Sequence, residues 1–279
     1  MSAIRVRREF VDVAHGQIHL RRIDHGGNAP LVMIHPSPGS SRQLEPLMAA
    51  FARTRRVWAP DTLGNGDSSP PREAQPTIET LAAGAIEALD GLGLDQVDLY
   101  GSHTGASIAA TIALLQPQRV RRLVLDGVGL YAPEEQAAIL AGYLPDVPVD
   151  HQGLHVLWAW QFCRDTYLFW PWFRHDKAGV RDVGLPSPEA LHAKFVEVVK
   201  AYGSFRASYR AAFLFDKRAR LPLLSVPTLA ACARNDMLFG YLDELARLIP
   251  GARRQEIPGV SSPEAAAETA RLIGAFLDG

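Results

Sequence analysis

Val97-Asp-Leu-Tyr-Gly-Ser-His-Thr-Gly-Ala106 runs a short apolar segment into one rich in small residues. The first part reads as a strand buried on both faces, and the second, from Ala106 to Gln116, as a helix. Gly101, Gly105 and Ala106 permit a sharp strand-to-helix turn. Such a turn lifts its central residue, His103, above the sheet at a helix N-terminus. The same glycines would also suit plain close packing of a helix on a sheet. The polar trio Ser102-His103-Thr104 in apolar surroundings favours a turn that presents a side chain.

The same rhythm extends outward in both directions. Leu31-Val-Met-Ile34, Arg56-Val-Trp-Ala59 and Arg122-Leu-Val-Leu125 are further short apolar runs. Helical patterns cover 42–53 and 78–92, and Thr77 after Pro76 suits an N-cap. Stretches 6–13 and 17–23 read as a hairpin around His15-Gly16. Strands alternating with helices predict an α/β fold with a doubly wound, mostly parallel sheet. The rhythm stops after Asp126. From 131 to 215 there are helical patterns and loops without a convincing strand, and eight aromatics crowd into 158–173. It resumes with a strand at 227–233, a helix at 238–249, a strand at 254–257 and a helix at 263–277, whose start is marked by Ser262-Pro263-Glu264. The expected organisation is a core domain of 1–130 and 216–279 carrying a helical cap, 131–215.

Composition removes several function classes. Lys+Arg is 29 and Asp+Glu 30, so there is no basic footprint for nucleic acid. Residues 105–115 are nearly apolar but too short to cross a bilayer, so no membrane partner is expected. MSAIRVRREF is basic without an apolar stretch behind it, which gives no secretion signal and points to the cytoplasm. Cys163 and Cys232 are far apart in apolar contexts, so neither a disulfide framework nor a thiolate metal site is expected. No clustered His/Asp/Glu pattern suggests a metal, and no cofactor is implied. The expected partner is a small-molecule substrate; a homodimer is compatible with the sequence.

Two other turns stand at strand ends, where open α/β sheets bind ligands. They are His35-Pro-Ser-Pro-Gly-Ser40 and Asp61-Thr-Leu-Gly-Asn-Gly-Asp-Ser68. Taken with the turn at 101–105, the cap, and Pro227-Thr-Leu followed by Asp236, this ordered set resembles the capped members of the α/β-hydrolase fold superfamily. The resemblance implies an oxyanion loop at 35–39, with the backbone N–H groups of Ser37 and Thr104 as donors. It also implies an acid at Asp236.

The chain departs from that family at two places. The nucleophile, usually Ser, falls at His103, and the His expected after the last strand is missing: Pro258-Gly-Val-Ser-Ser262 holds none, and none follows His192. A Ser-His-Asp relay cannot be assembled. An imidazole at 103 reaches further than a hydroxyl and can meet Asp236 directly, giving a base with its orienting acid. The expected pocket residues are His35, Ser102, Trp158, Trp170 and Trp172, since Trp170-Pro-Trp172 cannot sit inside a helix and belongs near the cleft. Weaker candidates are Asp126, a possible second acid, and His155 and His175 in the cap. Ser262 reads as an N-cap and Cys232 as a core residue. The expected function is cofactor-independent chemistry on a small, largely apolar carbonyl compound, by hydrolysis or C–C cleavage. A catalytically silent ligand-binding protein and a cofactor-free oxygenase are the alternatives.

Overall fold

The computed structural model describes residues 5–279. The start of the stretch read above for a secretion signal lies outside them. Eight strands run β1 Arg7–Val13, β2 Gly16–Ile23, β3 Asn28–Ile34, β4 Arg55–Pro60, β5 Val97–Ser102, β6 Val120–Asp126, β7 Thr228–Ala233 and β8 Arg253–Ile257. Ten helices run α1 Glu45–Phe51, α2 Ile78–Gly91, α3 Thr104–Leu115, α4 Pro133–Gly142, α5 Leu154–Leu168, α6 Pro188–Lys200, α7 Phe205–Leu214, α8 Lys217–Arg220, α9 Leu242–Leu248 and α10 Pro263–Asp278.

The strands form one sheet in the order β1-β2-β4-β3-β5-β6-β7-β8. The β1–β2 and β2–β4 pairs are antiparallel and all the others parallel. The chain passes from β3 to β4 on one side, then to β5 on the other. The sheet therefore has its switch point between β3 and β5, and the crevice of such a sheet opens above their carboxyl ends. His35 and His103 follow those two ends.

Side-chain alternation covers both faces. Leu31 and Met33 pack with Leu47, Met48 and Phe51 of α1 and with Ile273, Phe276 and Leu277 of α10. Val32 and Ile34 turn the other way, into the core built with α2, α3 and α9. Fully burying one such side chain contributes about 1.5–3 kcal/mol. Helix starts follow their local chemistry. Thr77 and Thr80 form a reciprocal capping box at α2, and Ser262 caps α10 through the Ala265 N–H ahead of Pro263. At the opposite end of the sheet from the crevice, the fully buried Arg55 lies 2.6 Å from Asp98 and also bonds Asp278.

Between β6 and β7 no strand joins the sheet among the described residues; the one bridge there is the isolated pair Phe169–Val180. Helices α4–α7 instead surround their own aromatic cluster, centred on Tyr143, Phe162, Trp172 and Phe213. Among the described residues no helix is long and apolar enough to cross a membrane.

Candidate active site

The turn at the end of β5 is as tight as sterics allow. A Cβ on Gly101 would lie 2.2 Å from the Gly105 carbonyl oxygen, and one on Gly105 would lie 2.3 Å from the Ile34 carbonyl oxygen. Only glycine lets α3 start this close to β3 and β5. His103 at its apex has φ +53° and ψ −110°, the one positive φ outside glycine among the described residues. Holding a non-glycine residue there costs about 1–3 kcal/mol, which the surrounding packing must supply.

The strained backbone aims the ring across the end of β6 to the turn after β7. His103 Nε2 lies 2.8 Å from Asp236 Oδ2. Asp236 is itself held, because its Oδ1 accepts the Leu238 N–H at 2.8 Å. Gly127, at φ +68°, makes room: a Cβ there would lie 2.7 Å from His103 Cδ2 and 2.8 Å from Nε2. The bond to a carboxylate fixes Nε2 as the protonated nitrogen and leaves Nδ1 with its lone pair free, with no partner among the described residues. Burial disfavours the imidazolium, but the Asp236 carboxylate, helped by Asp126, outweighs it and raises the His103 pKa. Burial likewise opposes the Asp236 anion, and His103, the Leu238 N–H and Arg181 still hold its pKa below the usual value.

A second carboxylate sits behind the ring. Asp126 accepts the Tyr100 hydroxyl at 2.6 Å, and its backbone oxygen takes the His103 N–H at 2.9 Å. Burial pushes the Asp126 carboxyl up to about 6 despite the Tyr100 bond.

The N–H groups of Ser37 and Thr104 are taken by no acceptor among the described residues, although both residues are buried and both line the same cavity as His103. Thr104 is also the first residue of α3, where unpaired N–H groups favour negative charge. The cavity, about 170 Å³, is walled on the far side by Tyr131, Tyr143, Phe162, Trp170, Tyr209 and Phe213.

Of the expected pocket residues, the structure brings Trp170 to this wall and places the others elsewhere. His35 is fully buried beside the cavity. Its Nε2 accepts the Thr62 N–H at 2.9 Å and its Nδ1 lies 2.8 Å from the Pro36 oxygen, so the neutral ring staples loop 35–40 to loop 61–68. Burial lowers its pKa, consistent with that role. Ser102 ends β5 opposite Asp126, off the cavity. Trp158 stacks on Phe162 and Phe205 inside the cap cluster. Trp172 is buried, with its indole N–H on the Tyr143 oxygen. Aromatic residues at helical spacing pack on one another before they face a ligand. His155 packs on Tyr202 and His175 meets Asp165 and Phe169; neither lines the cavity. The Asp61 turn is structural: its carboxylate takes His19, the Ser41 N–H and hydroxyl, and the Asp67 N–H, and its pKa falls to about 2.

Both basic side chains on the cavity wall besides His103 escaped the sequence reading, as did most of its aromatic residues. Lys194 of α6 and Lys217 of α8 both line the cavity. Burial lowers each pKa to about 8. Lys194 had a signal: it lies three residues after Leu191 and four before Val198, inside the buried stripe of α6.

Residues 29–164 match the family described as the alpha/beta hydrolase fold. Over 107 residues the chain is 43% identical to the 2-hydroxymuconate semialdehyde hydrolase of Pseudomonas sp. strain CF600, covering 37% of this chain and 38% of that protein. Over 141 residues it is 36% identical to the 2-hydroxy-6-oxo-2,4-heptadienoate hydrolase of Pseudomonas putida, covering 49% and 51%. The chain thus spans about half or less of the length of these curated relatives. The crystal structure of the enol-lactonase from Burkholderia xenovorans LB400 superposes with a TM-score of 0.72 at 23% identity, over 97% of this chain and all of that one.

Proposed function

We propose that this chain, which has the α/β-hydrolase fold and matches that family over residues 29–164, is a hydrolase of a small carbonyl compound in which a His103–Asp236 pair replaces the serine relay. The observation that carries the reading is the 2.8 Å contact between His103 Nε2 and Asp236 Oδ2, made from the position where the fold presents its nucleophile. Asp236 fixes the tautomer, so Nδ1 is the base.

The steps follow from those groups. Nδ1 takes a proton from water as the water oxygen adds to the substrate carbonyl carbon. The carbonyl oxygen becomes an oxyanion between the Ser37 and Thr104 N–H groups, each typically worth ~3 kcal/mol in the transition state. The oxyanion collapses, the bond to the leaving carbon or oxygen breaks, and the imidazolium returns its proton to that leaving group. No covalent intermediate forms at the turn. The names of the curated relatives, hydrolases of a semialdehyde and of an oxo-dienoate, support a carbonyl substrate.

The test is a panel of semialdehydes, vinylogous diketones, enol lactones and esters, incubated with the wild-type protein and with His103→Ala. Turnover that falls about 10²–10⁴-fold in the variant, the usual contribution of a general base, is expected. A ligand that binds tightly and is returned unchanged, or equal turnover in His103→Ala, contradicts the reading.

A further inference from the structure

Arg181 belongs to the cap but reaches the turn that carries Asp236. Its backbone is laid beside the end of α5. The Trp170 N–H donates to the Gly179 oxygen at 2.7 Å, and the Arg181 N–H donates to the Leu168 oxygen at 2.8 Å. From that fixed base the guanidinium forks. One arm donates to the Thr166 carbonyl oxygen in the last turn of α5, where helix carbonyls lack partners within the helix and attract cations. The other arm donates to the Asn235 carbonyl oxygen at 3.0 Å. Asn235 is exposed and directly precedes Asp236. Thr166 lines the cavity from the cap, and Met237 and Leu238 line it from the core, so Arg181 joins the two sides. Ser204 on Gly64 and Lys200 on Asp67 tie the cap to a different turn, at 61–68.

We propose that Arg181 is a positioning residue for the His103–Asp236 pair: by holding the turn at 235–236 from the cap, it fixes the carboxylate against His103 Nε2 and makes the strength of the base depend on a seated cap. The inference rests on the hydrolase reading only for its effect on turnover. Arg181 does not line the cavity and takes no part in the proton transfers. Bridging two carbonyl oxygens uses the planar fork of a guanidinium; a lysine in its place keeps the charge without the fork. Charge and position act on His103 in opposite senses, which separates them. The Arg181 cation favours the Asp236 anion, and a cation nearby disfavours a second positive charge on the ring. Loss of the charge alone would therefore leave the imidazolium at least as stable. Loss of orientation would take away the Asp236 carboxylate, its main support, and lower the His103 pKa. The other charged groups facing the ring, Asp126 and Lys194, stay in place in either case, and Arg181 itself faces Tyr143 and Tyr167 besides Asp236.

The test needs no substrate. His103 is followed by ¹⁵N NMR through a pH titration in the wild-type protein, Arg181→Met, Arg181→Lys and Lys200→Ala. Arg181→Met should lower the His103 pKa and speed exchange of the Nε2 proton with water by about tenfold, because the bond to Asp236 opens more often. Arg181→Lys should fall between Arg181→Met and the wild-type protein. Lys200→Ala also removes a contact between cap and core, yet it should leave both readings unchanged, which separates positioning of Asp236 from general loosening of the cap. Should Arg181→Met melt early, Arg181→Gln replaces it with the same expected sign. A His103 pKa that is unmoved or raised in Arg181→Met, or an equal drop in Lys200→Ala, overturns the proposal. Failure of the hydrolase reading is seen separately, as absence of turnover in the wild-type protein.

Discussion

His103 occupies the strained apex of the turn with a side chain long enough to reach Asp236 across Gly127. Gly127→Ala tests that seat. Its φ of +68° penalises a Cβ by about 1 kcal/mol, and the new carbon would displace the ring. A misplacement of about 1 Å costs ~10²-fold in rate, so turnover should fall by roughly that factor with only a modest drop in melting temperature. The pH dependence has a definite sign. In the proposed reaction the base must be the neutral ring, and Asp236 raises the His103 pKa, so the acidic limb of kcat/KM should lie above the ordinary value of 6.5. Asp236→Asn removes the main raising influence, so the limb should move to lower pH while the rate plateau falls. A limb at the same pH in both proteins would sink this account of the pair. By linkage, the pair stabilises the fold fully below the ordinary His pKa and loses that contribution as pH rises through the raised one.

Among the elements, the strands carry different burdens at their two ends. The carboxyl ends of β3, β5 and β7 lead into the site, whereas the start of β4 holds Arg55 buried on Asp98. Arg55→Leu leaves Asp98 with Arg121 as its remaining partner, and breaking a buried pair costs about 3–5 kcal/mol. Urea unfolding should show that loss, with the activity of the folded fraction unchanged. The cap helices divide in a similar way. Trp158→Leu, inside the aromatic cluster, should lower stability by about 3 kcal/mol and leave KM near wild type. Trp170→Leu, on the cavity wall, should raise KM severalfold with a smaller effect on melting. Equal KM effects for the two would show that the wall is misassigned.

Over the whole molecule, cap and core meet at several polar points, among them the Ser204 hydroxyl on the Gly64 oxygen, Arg181 on the Asn235 oxygen, the Tyr241 hydroxyl on Glu135, and Lys200 2.7 Å from Asp67. The Lys200 pair is part-exposed, so Lys200→Ala should change stability by less than about 1 kcal/mol. A sharp loss of stability or activity there would mean that the pair holds the cap in place. This scale also explains what the sequence could reveal. The strand–helix rhythm, the glycines at 101 and 105 and the missing late His are local or order-based signals, and they led to the sheet, the turn and the His103–Asp236 pair. Which of Trp158, Trp170 and Trp172 faces the cavity depends on how α5 and the segment after it pack, which no spacing encodes. His35 resembled a pocket residue because its loop is one, yet its ring turns inward to Thr62. Lys217 starts a four-residue helix with no periodic pattern to place it.

The claim that Asp236 orients His103 as a base is tested most directly by ¹⁵N NMR of histidine-labelled protein, with the His103 signals assigned from a His103→Gln sample. The account predicts a neutral ring protonated on Nε2, with Nδ1 free and a pKa above 6.5 that drops in Asp236→Asn. A neutral ring protonated on Nδ1, or a His103 titration unmoved by Asp236→Asn, would contradict it.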